Sequence, residues 1–487
     1  MKSTRFEVLS KQELEQIRQA TLEVLEQAGI KVELKKLRQI LADLGCAVDE
    51  KTKVVKFPPR VVETYVGKAP REFTLCGNDQ SLSWKVSPET RVWGGLGTAV
   101  NMYDLQTGAY GPATMDDVTR HLIIMDGLEN IQSNQMDIWP SDIPMQTIPV
   151  EAIRTWALNC RKSFGMGAYG VMPTRDMMEM LLIAMGGKDK IKDMHPFLAI
   201  VNTVSPLSSA QIQLEGMMNL AEHGQPVLLS PEAMAGTTAP ITLAGLLIQH
   251  NAEVLAHIVM AQAVRAGTPV MYGTVSTIAE MRRGTVALGS VETGLISAGI
   301  AQIAHSYNIP CRGVAGGTES KLLDLQCGVE RARTMQMAAM GGVNYITCVG
   351  TIESTTASAH ELAVIDDELI GSIERAIRGI EVNETTKAVE IIKKVGPGGD
   401  YLMQEHTQKY FRTEHFIPSL CDRDKRDIWE KAGKKDMVGR AREKAQAILA
   451  KHTQKDLDPA VMKGMDDYIE MVKKRTLDEY YAAEWEA

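Results

Sequence analysis

Arg312 lies inside a short apolar run, Pro310–Ala315, where a guanidinium is cut off from water. A buried arginine normally takes a carboxylate, from the protein or from a ligand. Gly316 and Gly317 make a tight exit from that run, and Glu319, Lys321 and Asp324 follow on the loop into a helix. The next apolar run, Val343–Gly350, leads into Glu353, a Ser/Thr stretch and His360. Glu353 offers a counter-charge to a cation, and His360 is an acid, a base or a satisfied helix histidine. Glu319 and Asp324 complete a candidate catalytic set with these two. Five aromatic residues, Trp93, Tyr103, Trp139, Tyr169 and Tyr272, sit in or close to the ends of similar runs. Their negative π-faces suit a quaternary ammonium ion, which neither donates nor accepts a hydrogen bond. For each aromatic the alternative is core filling, and for Arg312 a structural ion pair. Asp366, Asp367 and Glu368 read as helix body with a solvated or interface face.

Eight such runs occur: Arg91–Val100, Ile131–Trp139, Ser163–Val171, Phe197–Ser205, Pro226–Ala233, Pro269–Thr277, Pro310–Ala315 and Val343–Gly350. Each precedes a helix-like segment. A βα unit repeated eight times predicts an α/β fold, a closed (β/α)8 TIM barrel, with the active site at the C-terminal ends of the strands. The strands are mixed apolar runs without clean alternation, as expected where both faces are covered.

A barrel takes roughly 250 residues. The 487-residue chain therefore divides into an N-terminal α+β extension (1–90), the barrel (91–379) and a C-terminal helical segment (380–487) packed on it. A helix over 11–29 places Leu14, Ile17, Thr21, Leu22 and Leu25 on one face. The stretch 101–114 reads as a hairpin, and Thr114 as the cap of the first barrel helix. The longest helix is expected over about 241–266, long enough to serve an interface. Residues 383–395 and 422–480 are charged helical sequence, either a solvated cap or a docking surface.

A net charge of −8 argues against nucleic acid or an anionic membrane as the main partner. The seven cysteines, Cys348 among them, form no CxxC pair, which fits reduced thiols in a cytoplasmic protein. No signal peptide, membrane span, zinc motif, P-loop or GxGxxG is read, so no metal site is expected.

The stretches GGLGTAVNMYDLQTGAYGPATMDDV (94–118), GGTESKLLDLQCGVERA (316–332) and HFIPSLCDRDKRDIWEKAG (415–433) resemble the trimethylamine methyltransferase family, and the similarity runs over nearly the whole chain. The resemblance implies a (β/α)8 barrel that moves a methyl group from an amine to the cobalt of a separate corrinoid protein. The trimethylamine enzymes of methanogens carry pyrrolysine inside the barrel, whereas only standard residues occur here. The chain therefore resembles the non-pyrrolysine branch. That implies a quaternary amine of betaine type: glycine betaine first, then proline betaine, carnitine or γ-butyrobetaine. No DxHxxG signature occurs, so the corrinoid (cobalamin) is expected on a cognate partner protein. Two alternatives stand beside this reading: a non-catalytic quaternary-amine-binding barrel subunit, and a lyase or aldolase using Lys321 as a Schiff-base amine. A homo-oligomer is expected.

Overall fold

The computed structural model describes residues 5–480 apart from 96, 188–193 and 348, so Cys348 lies outside the described residues. Seven parallel strands form the central sheet: Val92–Trp93, Phe164–Gly167, Phe197–Asn202, Val227–Ser230, Val270–Gly273, Cys311–Val314 and Tyr345–Thr347. Tyr345 and Ile346 pair with Val92 and Trp93, which brings the eighth unit back to the first. The remaining gap is filled by the second run. Ser133 bridges Gly94 on one side and Ser163 on the other. Gln132 N–H donates to Trp93, Asn134 N–H to Ser163 and Met136 N–H to Gly165. The sheet thus closes into a barrel with eight strand positions, as the eight-run rhythm predicts.

Each strand position is followed by its helix, from Met115–Gly127 to His360–Arg378. Thr114 caps the first of these, accepting from Asp117 N–H while Asp117 caps Thr114 in return. The fifth, Leu243–Val264, is apolar enough to cross a membrane by length and composition, yet 72% of its most apolar window is buried. The N-terminal helix Lys11–Gln27 packs on it, burying Ile17, Thr21, Leu22 and Leu25.

Alternation along the short strands sorts side chains into two cores. Val92, Leu198, Leu228, Met271 and Tyr345 point into the barrel. Their neighbours Trp93, Phe197, Leu229, Tyr272 and Ile346 point out to the helices. The inner core also holds Phe73, Leu75 and Val86 from the hairpin Phe73–Cys76/Ser83–Val86, so the N-terminal extension plugs the barrel.

Asp366, Asp367 and Glu368 correct the expectation of a solvated face, because all three are buried. Asp366 takes Arg331 Nε at 2.7 Å and Gly350 N–H at 2.7 Å, locking the eighth strand's exit between two helices. Asp367 accepts Asn130 N–H, and Glu368 accepts the N–H groups of Ser419, Leu420 and Cys421. Removing one partner of a buried ion pair costs about 3–5 kcal/mol.

Candidate active site

A cavity of about 80 Å³ opens at the C-terminal ends of the strands, and all eight units contribute to its wall. Gly97 and Thr98 come from the first, Gln135, Met136 and Trp139 from the second, and Met166, Gly167 and Tyr169 from the third. Ile200, Asn202 and Gln213 come from the fourth. Glu232, Val275, Arg312 and Thr355 come from the fifth to the eighth in turn.

Two glycines are sterically required here. A Cβ on Gly97 would lie 1.9 Å from Asp137 Cα, so the first and second strand exits pack backbone to backbone. A Cβ on Gly167 would lie 2.1 Å from the Tyr169 hydroxyl, so glycine lets that ring fold back over its own strand. Tyr169 then meets Trp139 edge to face, with centroids 6.3 Å apart and planes at 87°.

Arg312 is completely buried and points into the barrel. Its Nη1 donates to Ser230 Oγ at 3.0 Å and to the Thr274 carbonyl at 2.8 Å. Glu232 stands in the same cavity and accepts Asn202 Nδ2 at 2.9 Å. Burial pushes the Glu232 carboxyl above its ordinary value, and the charge of Arg312 pulls it back. Two further acceptors, Asn202 Oδ1 and Gln135 Oε1, are buried and have no hydrogen-bond partner. The cavity thus combines two aromatic faces, a carboxylate, a guanidinium and two amide oxygens. Such a set can hold a cation against rings and Glu232 while an anion meets Arg312.

Of the residues picked from the sequence, Trp139, Tyr169 and Arg312 meet in this cavity. Trp93 and Tyr272 do not: they occupy outward strand positions. The Trp93 indole donates to Glu374 at 2.7 Å, and the Tyr272 hydroxyl to Asn251 at 2.9 Å. Tyr103 and Glu353 lie on the rim and bind each other at 2.5 Å. The strand Ala357–Ala359 pairs with Asn101–Tyr103, which draws the eighth exit beside the hairpin. Glu353, Ser354 and Thr355 all have positive φ, at about 1–2 kcal/mol per residue. That turn sets Thr355 in the cavity wall, and Ser354 N–H holds it by donating to the Thr318 carbonyl.

Glu319 is half-buried in the same support. It accepts Gly289 N–H at 2.9 Å and Ser354 Oγ at 3.1 Å. Asp324 is a helix cap, accepting from Cys327 N–H and Ser320 Oγ. His360 is buried beside His121, their rings stacked 6.0 Å apart, and burial lowers its pKa to about 3. Its ring is therefore neutral at pH 7 and lies outside the cavity wall. Lys321 is exposed on its loop, donating to the Glu319 carbonyl, and is no inward lysine of the kind a Schiff base needs.

Glu232, Asn202 and Gln135 escaped the sequence reading. A signal existed for the first: Glu232 sits two residues beyond the fifth strand, within the run Pro226–Ala233. Position marks the amides as well, Asn202 ending the fourth strand within Phe197–Ser205 and Gln135 lying in Ile131–Trp139, but neither carries a charge that sets it apart from its neighbours. Beside the cavity runs an apolar groove that shares Thr98, Trp139 and Tyr169 with it and adds Met145, Pro149, Ile212 and Tyr480.

A family model described as trimethylamine methyltransferase (MTTB) matches residues 1–477. The chain is 32% identical over 474 residues to trimethylamine methyltransferase MttB of Desulfitobacterium hafniense (strain DSM 10664 / DCB-2), covering 97% of this chain and 95% of that one. It is 32% identical over 459 residues to the glycine betaine methyltransferase of Desulfitobacterium hafniense (strain Y51), covering 94% and 95%. It is 33% identical over 473 residues to MttB1 of Methanosarcina acetivorans, also a trimethylamine methyltransferase, covering 95% and 94%. Among solved structures, the monomethylamine methyltransferase (MtmB) of Methanosarcina barkeri aligns over 95% of this chain and 92% of that one, with 13% identity and a TM-score of 0.48.

Proposed function

The chain belongs to the trimethylamine methyltransferase family, and on that premise we propose that it takes a methyl group from a betaine-type quaternary amine, glycine betaine first, for the cobalt of a corrinoid carried by a separate protein. The observation that carries this reading is the presence of Glu232 and Arg312 in one cavity with Trp139 and Tyr169. A zwitterion needs both charges; trimethylamine has no carboxylate for Arg312.

A corrinoid with cobalt in the +1 state supplies the nucleophile. The apolar groove next to Trp139 and Tyr169 suits the edge of a large ring. The chain's own task is to bind, aim and exclude water. Arg312 holds the carboxylate in a fixed orientation, so the ammonium falls between the aromatic pair and Glu232. Loss of a methyl turns the quaternary nitrogen into a neutral tertiary amine, so no proton donor is required. Among the described residues, the cavity wall contains no histidine or lysine. The positive charge leaves nitrogen during the reaction, so a cage that bound it too tightly would favour the ground state. The Asn202 amide, donating to Glu232, moderates that carboxylate.

The test is a panel of glycine betaine, proline betaine, carnitine, γ-butyrobetaine, choline and trimethylamine, each with the purified chain and a reduced corrinoid protein. The expected result is a tertiary amine from a betaine, with choline poor because it lacks the carboxylate. Choline or trimethylamine turning over as fast as every betaine would overturn the substrate reading. Demethylation without any corrinoid would overturn the mechanism.

A further inference from the structure

The eighth strand leaves the barrel into a hairpin whose turn its sequence does not favour. Thr351–Ile352 and Ala357–Ala359 pair antiparallel, and residues 353–356 join them. Thr356 N–H donates to the Glu353 carbonyl at 3.1 Å and closes a turn with Ser354 and Thr355 at its centre. Both have positive φ, at 52° and 71°, as in a type I′ turn. Such turns are ordinarily filled by Asn-Gly or Gly-Gly. Glu353 ahead of them is also left-handed, with a φ of 54°. Among the described residues, Thr355 is the only β-branched one with positive φ, and two other left-handed residues directly precede it. A β-branched side chain suits that conformation least, because it crowds the adjoining backbone.

The strain persists because the turn is held from several sides. Ser354 N–H donates to the Thr318 carbonyl at 2.8 Å, and Ser354 Oγ donates to Glu319 at 3.1 Å. Glu353 N–H donates to the Ser320 carbonyl at 3.3 Å, while its carboxylate accepts the Tyr103 hydroxyl at 2.5 Å. The seventh exit and the first hairpin therefore fix a turn of the eighth unit. Thr355 makes none of these bonds and lines the cavity instead. A strained residue, over-determined by its surroundings and set in a binding cavity, marks function rather than packing.

The place of Thr355 in the ring says what it meets. The eighth strand pairs with the seventh, with Tyr345 opposite Arg312 in register. Thr355 thus belongs to the unit beside Arg312, whereas Trp139, Tyr169 and Glu232 come from the second, third and fifth units. The hydroxyl stands at the anion end of the cavity. A carboxylate offers about four acceptor sites, and one guanidinium does not fill them. Two amide donors of the wall are already engaged, Asn202 Nδ2 with Glu232 and Gln135 Nε2 with the Tyr345 hydroxyl. Thr98 is exposed and shared with the outer groove.

We propose that Thr355 is a substrate-binding residue whose hydroxyl donates to the substrate carboxylate beside Arg312, and that the left-handed turn 353–355 is the device that holds it there. The inference rests on the betaine reading above and adds a second carboxylate donor to it. It also gives the turn a signature: glycine at 355 suits the backbone and abolishes the contact, so stability and binding move in opposite directions.

The test is isothermal titration of glycine betaine and of choline into the full chain, with thermal melting alongside, for wild type, Thr355→Gly, Thr355→Ala and Thr355→Ser. Thr355→Gly is expected to melt at or above the wild-type temperature and to bind glycine betaine about tenfold more weakly, the loss of one hydrogen bond to a charged group. Thr355→Ala should lose the same affinity, and Thr355→Ser, which keeps the hydroxyl, should restore it. Choline, which has no carboxylate, should bind all four proteins alike. If the glycine variant folds poorly, the alanine and serine pair decides the matter. Unchanged glycine betaine affinity in Thr355→Ala overturns the inference alone, as does an equal loss for both ligands, which would make the turn a scaffold only. A wild type that binds choline as tightly as glycine betaine overturns the betaine reading itself, and the inference with it.

Discussion

Asn202 Nδ2 donates to Glu232 Oε1 across 2.9 Å, tying the end of the fourth barrel strand to a carboxylate just past the fifth. The bond orients Glu232 in the cavity that also holds Arg312, Trp139 and Tyr169. A carboxylate so placed is the natural counter-charge for a cation, and burial raises its pKa while Arg312 lowers it.

Glu232→Gln should raise KM for a quaternary amine by about tenfold, which corresponds to about 1.4 kcal/mol. The pH dependence has a definite sign. The carboxylate is ionised above its folded pKa, which lies above the usual glutamate value, so binding weakens as pH falls through it. Steady-state KM measured against pH should rise on the acid side for the wild type and stay flat for the glutamine variant. A glutamine variant with the wild-type profile would remove Glu232 from the cation site.

Arg312→Lys keeps the charge and loses the planar fork. Hydrogen bonds to charged groups are worth about 1.5–3 kcal/mol, so kcat/KM for a betaine should fall about tenfold to a hundredfold. Thermal melting should be followed alongside, because Arg312 also donates to Ser230 and Thr274. Any residual turnover of choline, which has no carboxylate, should be unaffected. Equal losses for choline and betaine would make Arg312 a structural arginine only.

The aromatic residues should separate into two classes. Trp139→Leu and Tyr169→Leu should each weaken binding by up to about thirtyfold, since cation–π contacts are worth about 0.5–2 kcal/mol. Trp93→Phe should leave KM alone and instead lower stability by about 0.5–1.5 kcal/mol, because the indole hydrogen bond to Glu374 is lost while Arg91 still satisfies that carboxylate. Isothermal titration and urea unfolding on the same three variants distinguish these effects.

Acid should destabilise the fold through its buried histidines. Burial lowers the pKa of His250 and His360 to about 3 and of His257 to about 4. Below about pH 6.5 the unfolded chain takes up protons that these folded rings refuse, so stability falls with pH until the folded values are reached. Each ring contributes a slope of up to about 1.4 kcal/mol per pH unit. His360→Leu should flatten the slope by one such increment in urea unfolding followed from neutral to mildly acid pH. An unchanged slope would show that His360 is protonated in the native state.

The eight-unit barrel was legible in the sequence because its signals are local: apolar runs bounded by glycine or proline, amphipathic segments between them, and a cap such as Thr114 with Asp117 three residues on. The absence of pyrrolysine and the family resemblance are likewise properties of the string. Which residues share the cavity is a different kind of fact. Barrel strands are apolar on both faces, so the inward or outward setting of Trp93, Trp139, Tyr169 and Tyr272 leaves no alternation to read. A shift of one residue in register exchanges the two faces, and only strand pairing such as Tyr345 with Val92 determines it. Glu232 and Arg312 are far apart in the chain, and Asp366 finds Arg331 only when two helices pack side by side. Closure of the sheet brings such pairs together, because hydrogen bonding and Coulomb attraction act over a few ångströms in space and are indifferent to distance along the chain.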